Sequence, residues 1–119
     1  MSSNNPRESY FIYMLECDNG SFYTGYTNDL DRRMGEHLSG SAKSSYTRSF
    51  RPVSMAACWK IKGSRADAMA IERLIKGLGR QAKETLVAKP AMLKKLSEKI
   101  PGKKVNPKAL KTKPLKGNE

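Results

Sequence analysis

The stretch Tyr10–Leu38, YFIYMLECDNGSFYTGYTNDLDRRMGEHL, decides the fold because its residue types change along its length. Aromatic and β-branched residues are frequent in segments 10–16 and 22–27, as is typical of strands in a partly buried sheet. Segment 18–20, Asp-Asn-Gly, lies between them and predicts a tight turn. Segment 29–38 then has an apolar residue at every fourth position, which predicts a helix. The stretch therefore predicts a hairpin that leads into a helix.

The length of the hairpin turn decides which side chains share a face of the sheet. A two-residue Asn19-Gly20 loop would place Tyr13 and Tyr23 on opposite faces. A three-residue loop with Gly20 in the left-handed region would pair Tyr13 with Gly25 and place both phenols on one face. In that case the missing side chain of Gly25 would leave room for a ligand or another backbone. The turn residues alone leave both loops open.

The predicted helix carries polar side chains beside its apolar stripe. Asn28 or Asp29 precedes the helix, and either can cap its first turn. Arg33 and His37 are four residues apart, so their side chains lie one above the other on the helix surface. Arg32, four residues before a glutamate, is typical of an ordinary solvent-exposed ion pair.

Length and charge limit the classes of protein to consider. The chain has 119 residues, which suits one compact domain. Lysine and arginine outnumber aspartate and glutamate by 23 to 11, so the net charge is +12 and the isoelectric point about 9.9. Such a charge attracts polyanions, and we expect nucleic acid as the partner.

The positive charge would equally suit an anionic membrane surface, but membrane anchoring finds little support in the sequence. No apolar run approaches the roughly 20 residues of a membrane-spanning helix, and the polar N-terminus lacks the apolar stretch of a signal peptide. We therefore expect a cytoplasmic protein that does not bind membranes. The sequence also indicates no obligate protein partner.

The rest of the chain divides by composition. We expect a flexible tail over residues 1–9, a folded domain over 10–88 with its third strand at 53–61, and a C-terminal helix over 89–100. Residues 101–119 contain six lysines, three prolines and one acid, without apolar periodicity. This composition predicts a disordered lysine-rich tail that attracts polyanions through charge alone.

The loop between the first helix and the third strand combines basic and aromatic residues. Its candidates for nucleic-acid contact are Lys43, Tyr46, Arg48 and Arg51. Basic side chains contact phosphates and aromatic rings stack on bases, so this mixture is typical of a loop that binds nucleic acid.

Several short motifs follow one another in a fixed order. They are Phe11-Ile12-Tyr13, Tyr23-Thr24-Gly25, Asn28-Asp29-Leu30-Asp31-Arg32-Arg33, Glu36-His37, Tyr46-Thr47-Arg48 and Ala70-Ile71-Glu72. In this order they resemble the GIY-YIG nuclease superfamily, and most closely its small single-domain bacterial members. The resemblance covers about residues 10–86 and implies an α+β fold in which helices flank a small three-stranded antiparallel sheet. It also implies a metal-dependent enzyme that hydrolyses phosphodiester bonds.

The resemblance assigns catalytic roles to five residues. By position in the motifs, the paired tyrosines are Tyr13 and Tyr23, the helix arginine is Arg33, the polar residue one turn later is His37, and the metal-binding carboxylate is Glu72. Because both phenols belong to one site, the resemblance also favours the three-residue hairpin loop.

Three positions depart from the family pattern. Phe11 replaces a glycine and Thr24 replaces an isoleucine, both of which a strand tolerates. Tyr26 stands where some repair and restriction members carry a lysine, whose charge can stabilise a phenolate or hold a phosphate. Tyr26 cannot supply that charge, so we expect slower turnover or a different base.

The implied chemistry has a physical basis in these residue types. Hydrolysis builds negative charge on the phosphoryl group and the leaving oxygen, which a divalent cation and an arginine stabilise. Mg²⁺, or Mn²⁺ as a substitute, suits a single carboxylate such as Glu72 with water and phosphate as further ligands. Arg33 would contact the scissile phosphate. Tyr23 would accept a proton from the attacking water, and Tyr13 and His37 would orient the reacting groups.

Two functions from different classes follow. The favoured one is a metal-dependent endonuclease that acts on DNA rather than RNA, in repair or recombination, and selects its site by structure more than by base sequence. The alternative is a protein that binds DNA or RNA through its charge, with weak or vestigial nuclease activity because Tyr26 replaces a lysine. Retention of all five implied catalytic residues favours the enzyme.

Overall fold

The computed structural model describes residues 9–39, 49–100, 102 and 105–112. The strands are β1 (Ser9–Cys17), β2 (Phe22–Thr27), β3 (Pro52–Lys62) and β4 (Lys108–Ala109), and the helices are α1 (Leu30–Ser39), α2 (Arg65–Lys76), α3 (Arg80–Ala88) and α4 (Met92–Ser97). The helix expected over 89–100 is therefore shorter than predicted. Among these helices, none is long and apolar enough to cross a membrane. Most of the tail expected over 1–9 lies outside the described residues.

The strands form an antiparallel sheet in the order β2-β1-β3-β4, with helices packed on both of its faces. Helix α1 packs Met34 against the face that carries Tyr13 and Leu15. Helix α2 packs Ile71 against the opposite face, which carries Ile12 and Trp59. The α+β class is confirmed, but the sheet of the described residues has four strands where the family resemblance implies three.

The fourth strand comes from the segment for which the composition predicts disorder. Strand β4 pairs with β3, and the N–H of Leu110 donates to a β3 carbonyl oxygen at 2.9 Å. Pro107 is buried, and Val105 and Leu110 pack against the two cores of the domain. The prediction of disorder is therefore wrong for residues 105–112. Three apolar side chains are enough to anchor this segment, although they are too few to form a periodic pattern.

The hairpin has the three-residue loop. Tyr13 pairs with Gly25 and Leu15 pairs with Tyr23, while Gly20 adopts a φ of +84° in the left-handed region. Because side chains alternate between faces along a strand, this register places the phenols of Tyr13 and Tyr23 on the same face of the sheet.

Capping residues fix the start of the two helices that carry candidate site residues. The carboxylate of Asp29 accepts a hydrogen bond from the N–H of Arg32 at 3.1 Å, so Asp29 rather than Asn28 caps α1. Ser64 Oγ accepts from the N–H of Asp67 at 3.2 Å, and the Asp67 carboxylate accepts from the N–H of Ser64 at 3.0 Å. Ser64 and Asp67 thus form a reciprocal capping box at the start of α2.

Candidate active site

A cavity of about 620 Å³ opens beside the outer strand β2. Both strands of the hairpin and the helices α1 and α2 contribute side chains to its wall. All five residues with implied catalytic roles line it: Tyr13, Tyr23, Arg33, His37 and Glu72. Because α1 and α2 pack on opposite faces of the sheet, their side chains meet around the edge of β2.

Tyr13 lies across Gly25 of the neighbouring strand. Its side chain is buried, and a Cβ added to Gly25 would lie 2.5 Å from Tyr13 Oη and 2.7 Å from Cζ. The missing side chain of Gly25 was expected to leave space for a ligand. The phenol of Tyr13 fills that space instead. A glycine at this position is required for the phenol to reach the cavity.

Tyr13 and His37 form a buried polar pair. Tyr13 Oη and His37 Nε2 are hydrogen-bonded at 3.0 Å, with the proton on either partner according to the imidazole tautomer. Burial, followed by the neighbouring Tyr23, raises the pKa of Tyr13 well above its ordinary value. Burial, followed by the charge of Arg33, lowers the pKa of His37 below 6.5, although Glu36 opposes this. Both side chains are therefore held neutral at pH 7.

Tyr23 is more accessible than Tyr13. It is partly exposed, whereas Tyr13 is 2% exposed. The centroid of the Tyr23 ring lies 6.4 Å from that of Tyr13 and 5.4 Å from that of His37, distances at which aromatic rings pack favourably. The neighbouring rings thus hold Tyr23 in place, and its position at the cavity allows contact with a substrate.

Arg33 is half-buried and only partly satisfied by hydrogen bonds. Its terminal nitrogen donates to Glu36 at 3.3 Å, which is a long contact for a charged pair. Its Nε is buried and has no hydrogen-bond partner among the described residues. An unpaired buried donor costs about 1–3 kcal/mol, so such a group is a candidate for a catalytic or binding role.

Glu72 brings a carboxylate to the cavity from α2. Its side chain is 20% exposed and lies 3.5 Å from Nζ of Lys76, whose own side chain is mostly in solvent. Within the described ranges, no cluster of three or more histidine, cysteine, aspartate or glutamate side chains could hold a metal ion. A lone, accessible carboxylate nonetheless fits Mg²⁺, which commonly binds through one or two carboxylates, water and substrate phosphate.

The sequence did not identify Arg65 as a residue of this site. Its Nε donates a hydrogen bond to the hydroxyl of Tyr26 at 3.0 Å, and both residues line the cavity. A positive charge therefore lies beside Tyr26, although it comes from a different element of the fold. The one sequence feature that could have identified Arg65 is its spacing from Glu72. The two residues are seven positions apart and so share a helix face.

Arg32 also lines the cavity, which the sequence did not predict. The expected ion pair is present, since Arg32 lies 2.9 Å from the carboxylate of Glu36 and 3.7 Å from that of Asp29. Both carboxylates offset its charge, so Arg32 adds less positive potential to the cavity than its position implies.

The residues expected to contact nucleic acid lie elsewhere. Lys43, Tyr46 and Arg48 fall outside the described residues. Arg51 is exposed, and its backbone carbonyl accepts from the N–H of Asp18 at 2.8 Å, which places it beside the hairpin turn. It does not line the cavity, and its contact with nucleic acid stays a prediction.

Comparison with known proteins agrees with the resemblance seen in the motifs. The sequence profile of the GIY-YIG catalytic domain matches residues 9–85, well over half of the chain. A UPF0213 protein from Halalkalibacterium halodurans is 44% identical over 80 residues, which cover 67% of this chain and 83% of the relative. One from Halobacterium salinarum is 40% identical over 77 residues, which cover 65% of this chain and 97% of the relative.

A solved structure is also similar. The solution NMR structure of a UPF0213 protein from Bacillus halodurans is 38% identical, with 80% of this chain and 99% of that chain covered and a TM-score of 0.44. From the domain match and the identities to its relatives, this chain belongs to the GIY-YIG family and, within it, to the UPF0213 proteins.

Proposed function

We propose that this protein is a divalent-metal-dependent endonuclease that hydrolyses phosphodiester bonds in DNA during repair or recombination. The observation that carries the proposal is the meeting of five side chains in one cavity: Tyr13, Tyr23, Arg33, His37 and Glu72. The net charge of +12 supports nucleic acid as the substrate class, because it attracts phosphate backbones over long distances.

Glu72 is the residue that would hold the metal. Mg²⁺, or Mn²⁺ in its place, supplies positive charge that stabilises the negative charge developing on the phosphoryl and leaving oxygens. Glu72 suits this role because its carboxylate is accessible from the cavity and pairs only weakly with the mostly exposed Lys76.

Arg33 would bind the scissile phosphate. Its guanidinium lines the cavity one helical turn from His37, and the one carboxylate that it contacts in the described part of the chain, Glu36, lies at a long 3.3 Å. A substrate phosphate would offer a stronger charge-assisted partner than Glu36 and would orient the phosphorus for attack.

Tyr23, as its phenolate, would accept the proton of the attacking water at its Oη. It is the accessible phenol of the pair, whereas Tyr13 is buried and its raised pKa keeps it protonated at neutral pH. Tyr13 and His37 instead act together to position Tyr23, since their rings surround it and a hydrogen bond fixes them to each other.

A cleavage assay tests the proposal. The purified protein is incubated with labelled duplex, single-stranded and branched DNA and with RNA, in the presence of Mg²⁺, Mn²⁺ or EDTA. We expect cleavage of DNA that requires the metal and is lost in Glu72→Ala. Binding of DNA by Glu72→Ala should be unchanged or slightly tighter, because the variant removes a negative charge near the substrate.

Glu84→Ala is the matched control for that variant. Glu84 is an exposed acid on α3 that pairs with Arg80 and does not line the cavity, so its removal changes the net charge equally without touching the catalytic groups. We expect it to cleave like the wild type. Cleavage by Glu72→Ala at the wild-type rate would reject Glu72 as the metal ligand. DNA binding without cleavage of any of these substrates would favour the alternative, a nucleic-acid-binding protein.

A further inference from the structure

Arg65 occupies one part of the cavity wall and is held there by a tyrosine. It is the first residue of α2, and its Nε donates to Tyr26 Oη at 3.0 Å. Tyr26 is itself packed against the core and against the ring of Tyr10, at 6.3 Å between centroids. A phenol anchored in this way restricts the guanidinium of a side chain that would otherwise move freely in solvent.

The charge of Arg65 is not offset by an acid. Arg32 and Arg33, the other arginines of the cavity, both contact the carboxylate of Glu36. Arg65 has no carboxylate within ion-pair distance in the part of the chain that the structure describes, and its hydrogen bond to Tyr26 uses only Nε. Its two terminal nitrogens therefore keep their capacity to donate to an anion, in the bidentate geometry that guanidinium groups form with phosphate.

Arg65 also has a fixed spatial relation to the proposed metal ligand. Seven positions separate Arg65 from Glu72, which is close to two turns of α2, so the residues share one helix face about 10 Å apart along the axis. Both line the same cavity of about 620 Å³, of which a single phosphodiester group would fill only a small part. The cavity can therefore hold a longer piece of nucleic-acid backbone.

We propose that Tyr26 and Arg65 form a second phosphate subsite, which binds the phosphodiester that flanks the scissile one on the same strand. This inference rests on the proposed nuclease function only where it says that the neighbouring phosphodiester is the scissile one. The attraction of Arg65 for a phosphate does not depend on cleavage. The second subsite implies that the substrate is an internal stretch of polynucleotide, because an isolated phosphate ester would occupy only the part of the cavity near Glu72. Tyr26 acts here as a positioning residue and Arg65 as the group that touches the substrate.

Binding of a labelled DNA duplex in EDTA, measured at several salt concentrations, tests the subsite without any cleavage. For Arg65→Gln we expect about tenfold weaker binding and a plot of log K against log salt whose slope is smaller by about 0.9, the contribution of one duplex phosphate contact. Arg73→Gln is the matched control, since Arg73 is an exposed arginine on the same helix that does not line the cavity. Its slope should stay close to that of the wild type.

Three further variants test whether binding depends on a guanidinium held in place or only on a positive charge acting at a distance. Tyr26→Phe keeps the net charge and the ring but removes the hydroxyl that fixes Arg65, so we expect it to weaken binding in the wild-type background. In combination with Arg65→Gln it should add little further loss, because both changes disrupt the same contact. Arg65→Lys should restore only part of the affinity, since an ammonium group lacks the bidentate geometry.

Each outcome of this experiment is decisive. An unchanged salt slope in Arg65→Gln, or full affinity in Tyr26→Phe and Arg65→Lys, would overturn the subsite even if the wild type cleaves DNA and Glu72→Ala does not. Conversely, the expected losses of affinity in a protein that cleaves no substrate would support the subsite and reject the nuclease. Absence of DNA binding by the wild type at low salt would overturn the subsite directly. Thermal unfolding should be similar in all variants, because Arg65 and Arg73 are exposed and Tyr26→Phe keeps the ring that packs against the core.

Discussion

The two edges of the sheet differ in what lies beside them. On one side β2 ends the sheet, and polar side chains from α1 and α2 meet around it to form the cavity. On the other side β3 is covered by the short strand β4 near the C-terminal end of the chain. An uncovered strand offers unpaired N–H and C=O groups to other chains, so covering β3 protects the domain, while the cavity beside β2 stays open.

The energetics of these two edges also differ. At the β4 edge, Val105, Pro107 and Leu110 bury apolar surface, which stabilises the domain. At the β2 edge, Arg33 Nε is buried without a hydrogen-bond partner among the described residues, and Tyr13 is a buried phenol with a raised pKa. Groups that are poorly satisfied in the folded state are typical of functional sites. Changes at the β2 edge should therefore affect activity more than stability, and changes at the β4 edge should do the reverse.

The largest effect is expected from Gly25→Ala at the β2 edge. The added Cβ would lie 2.5 Å from Tyr13 Oη, so the phenol must move and its hydrogen bond with His37 must be strained or lost. A displacement of about 1 Å in a catalytic group can reduce a rate about 100-fold, and we expect a loss of that order in DNA cleavage. Single-turnover cleavage with Mg²⁺ measures it.

Gly35→Ala is the control for that substitution. Gly35 lies on α1 with no atom within 4 Å of an added Cβ, so the change should raise helix stability by roughly 0.5–1 kcal/mol and leave cleavage unchanged. Wild-type cleavage by Gly25→Ala would show that the position of Tyr13 is not important for activity.

A smaller effect, on stability, is expected from the loss of residues 105–119. Removal of β4 exposes β3 and the apolar surface under Val105, Pro107 and Leu110, while the ordered backbone regains entropy. We expect a net loss of about 1–3 kcal/mol, or a fall of roughly 5–20 °C in the midpoint of thermal unfolding. Circular dichroism measures this shift.

Two point variants show how much of the stability lost in that truncation comes from apolar packing and how much from the removal of lysines. Leu110→Ala should reproduce part of the destabilisation, because the side chain packs against the core that contains Tyr13. Lys108→Ala, which changes an exposed side chain on β4 itself, should have almost no effect on stability. If the truncated protein and the full chain unfold at the same temperature, β4 does not contribute to the stability of the domain.

The smallest effect is a pH dependence that belongs to the β2 edge alone. Burial and Arg33 lower the pKa of His37 below its unfolded value of 6.5, so the unfolded chain binds more protons than the folded chain in this range. Stability should therefore be full above about pH 7.5 and decrease as the pH falls through 6.5 toward the folded pKa, with a slope of at most about 1.4 kcal/mol per pH unit.

Urea unfolding of the wild type and His37→Gln, at pH values through this range, measures that dependence. The chain has a single histidine, so the substitution should remove the titration above about pH 5.5, where carboxylates contribute little. The same slope in both proteins would assign the pH dependence to another group.

The features that the sequence determined by itself are local. The three-residue hairpin loop, the cap at Asp29 and the capping box at Ser64 depend on residues within a few positions of one another. The family resemblance favoured the loop, and Asp29 was one of two candidate caps. The family was also recognisable, because its motifs are short and ordered along the chain. The third strand was also predicted, at 53–61, and β4 makes it an inner strand of the sheet.

The tertiary structure decided the contacts between distant parts of the chain. Strand β4 has two residues, too few for any alternating pattern, and it is stable only because β3 and the cores are already in place. The hydrogen bond between Tyr26 and Arg65 joins residues 39 positions apart, so no local spacing could indicate it. The cavity itself exists because helices on opposite faces of one sheet reach around its outer strand, which is a property of packing rather than of any single segment.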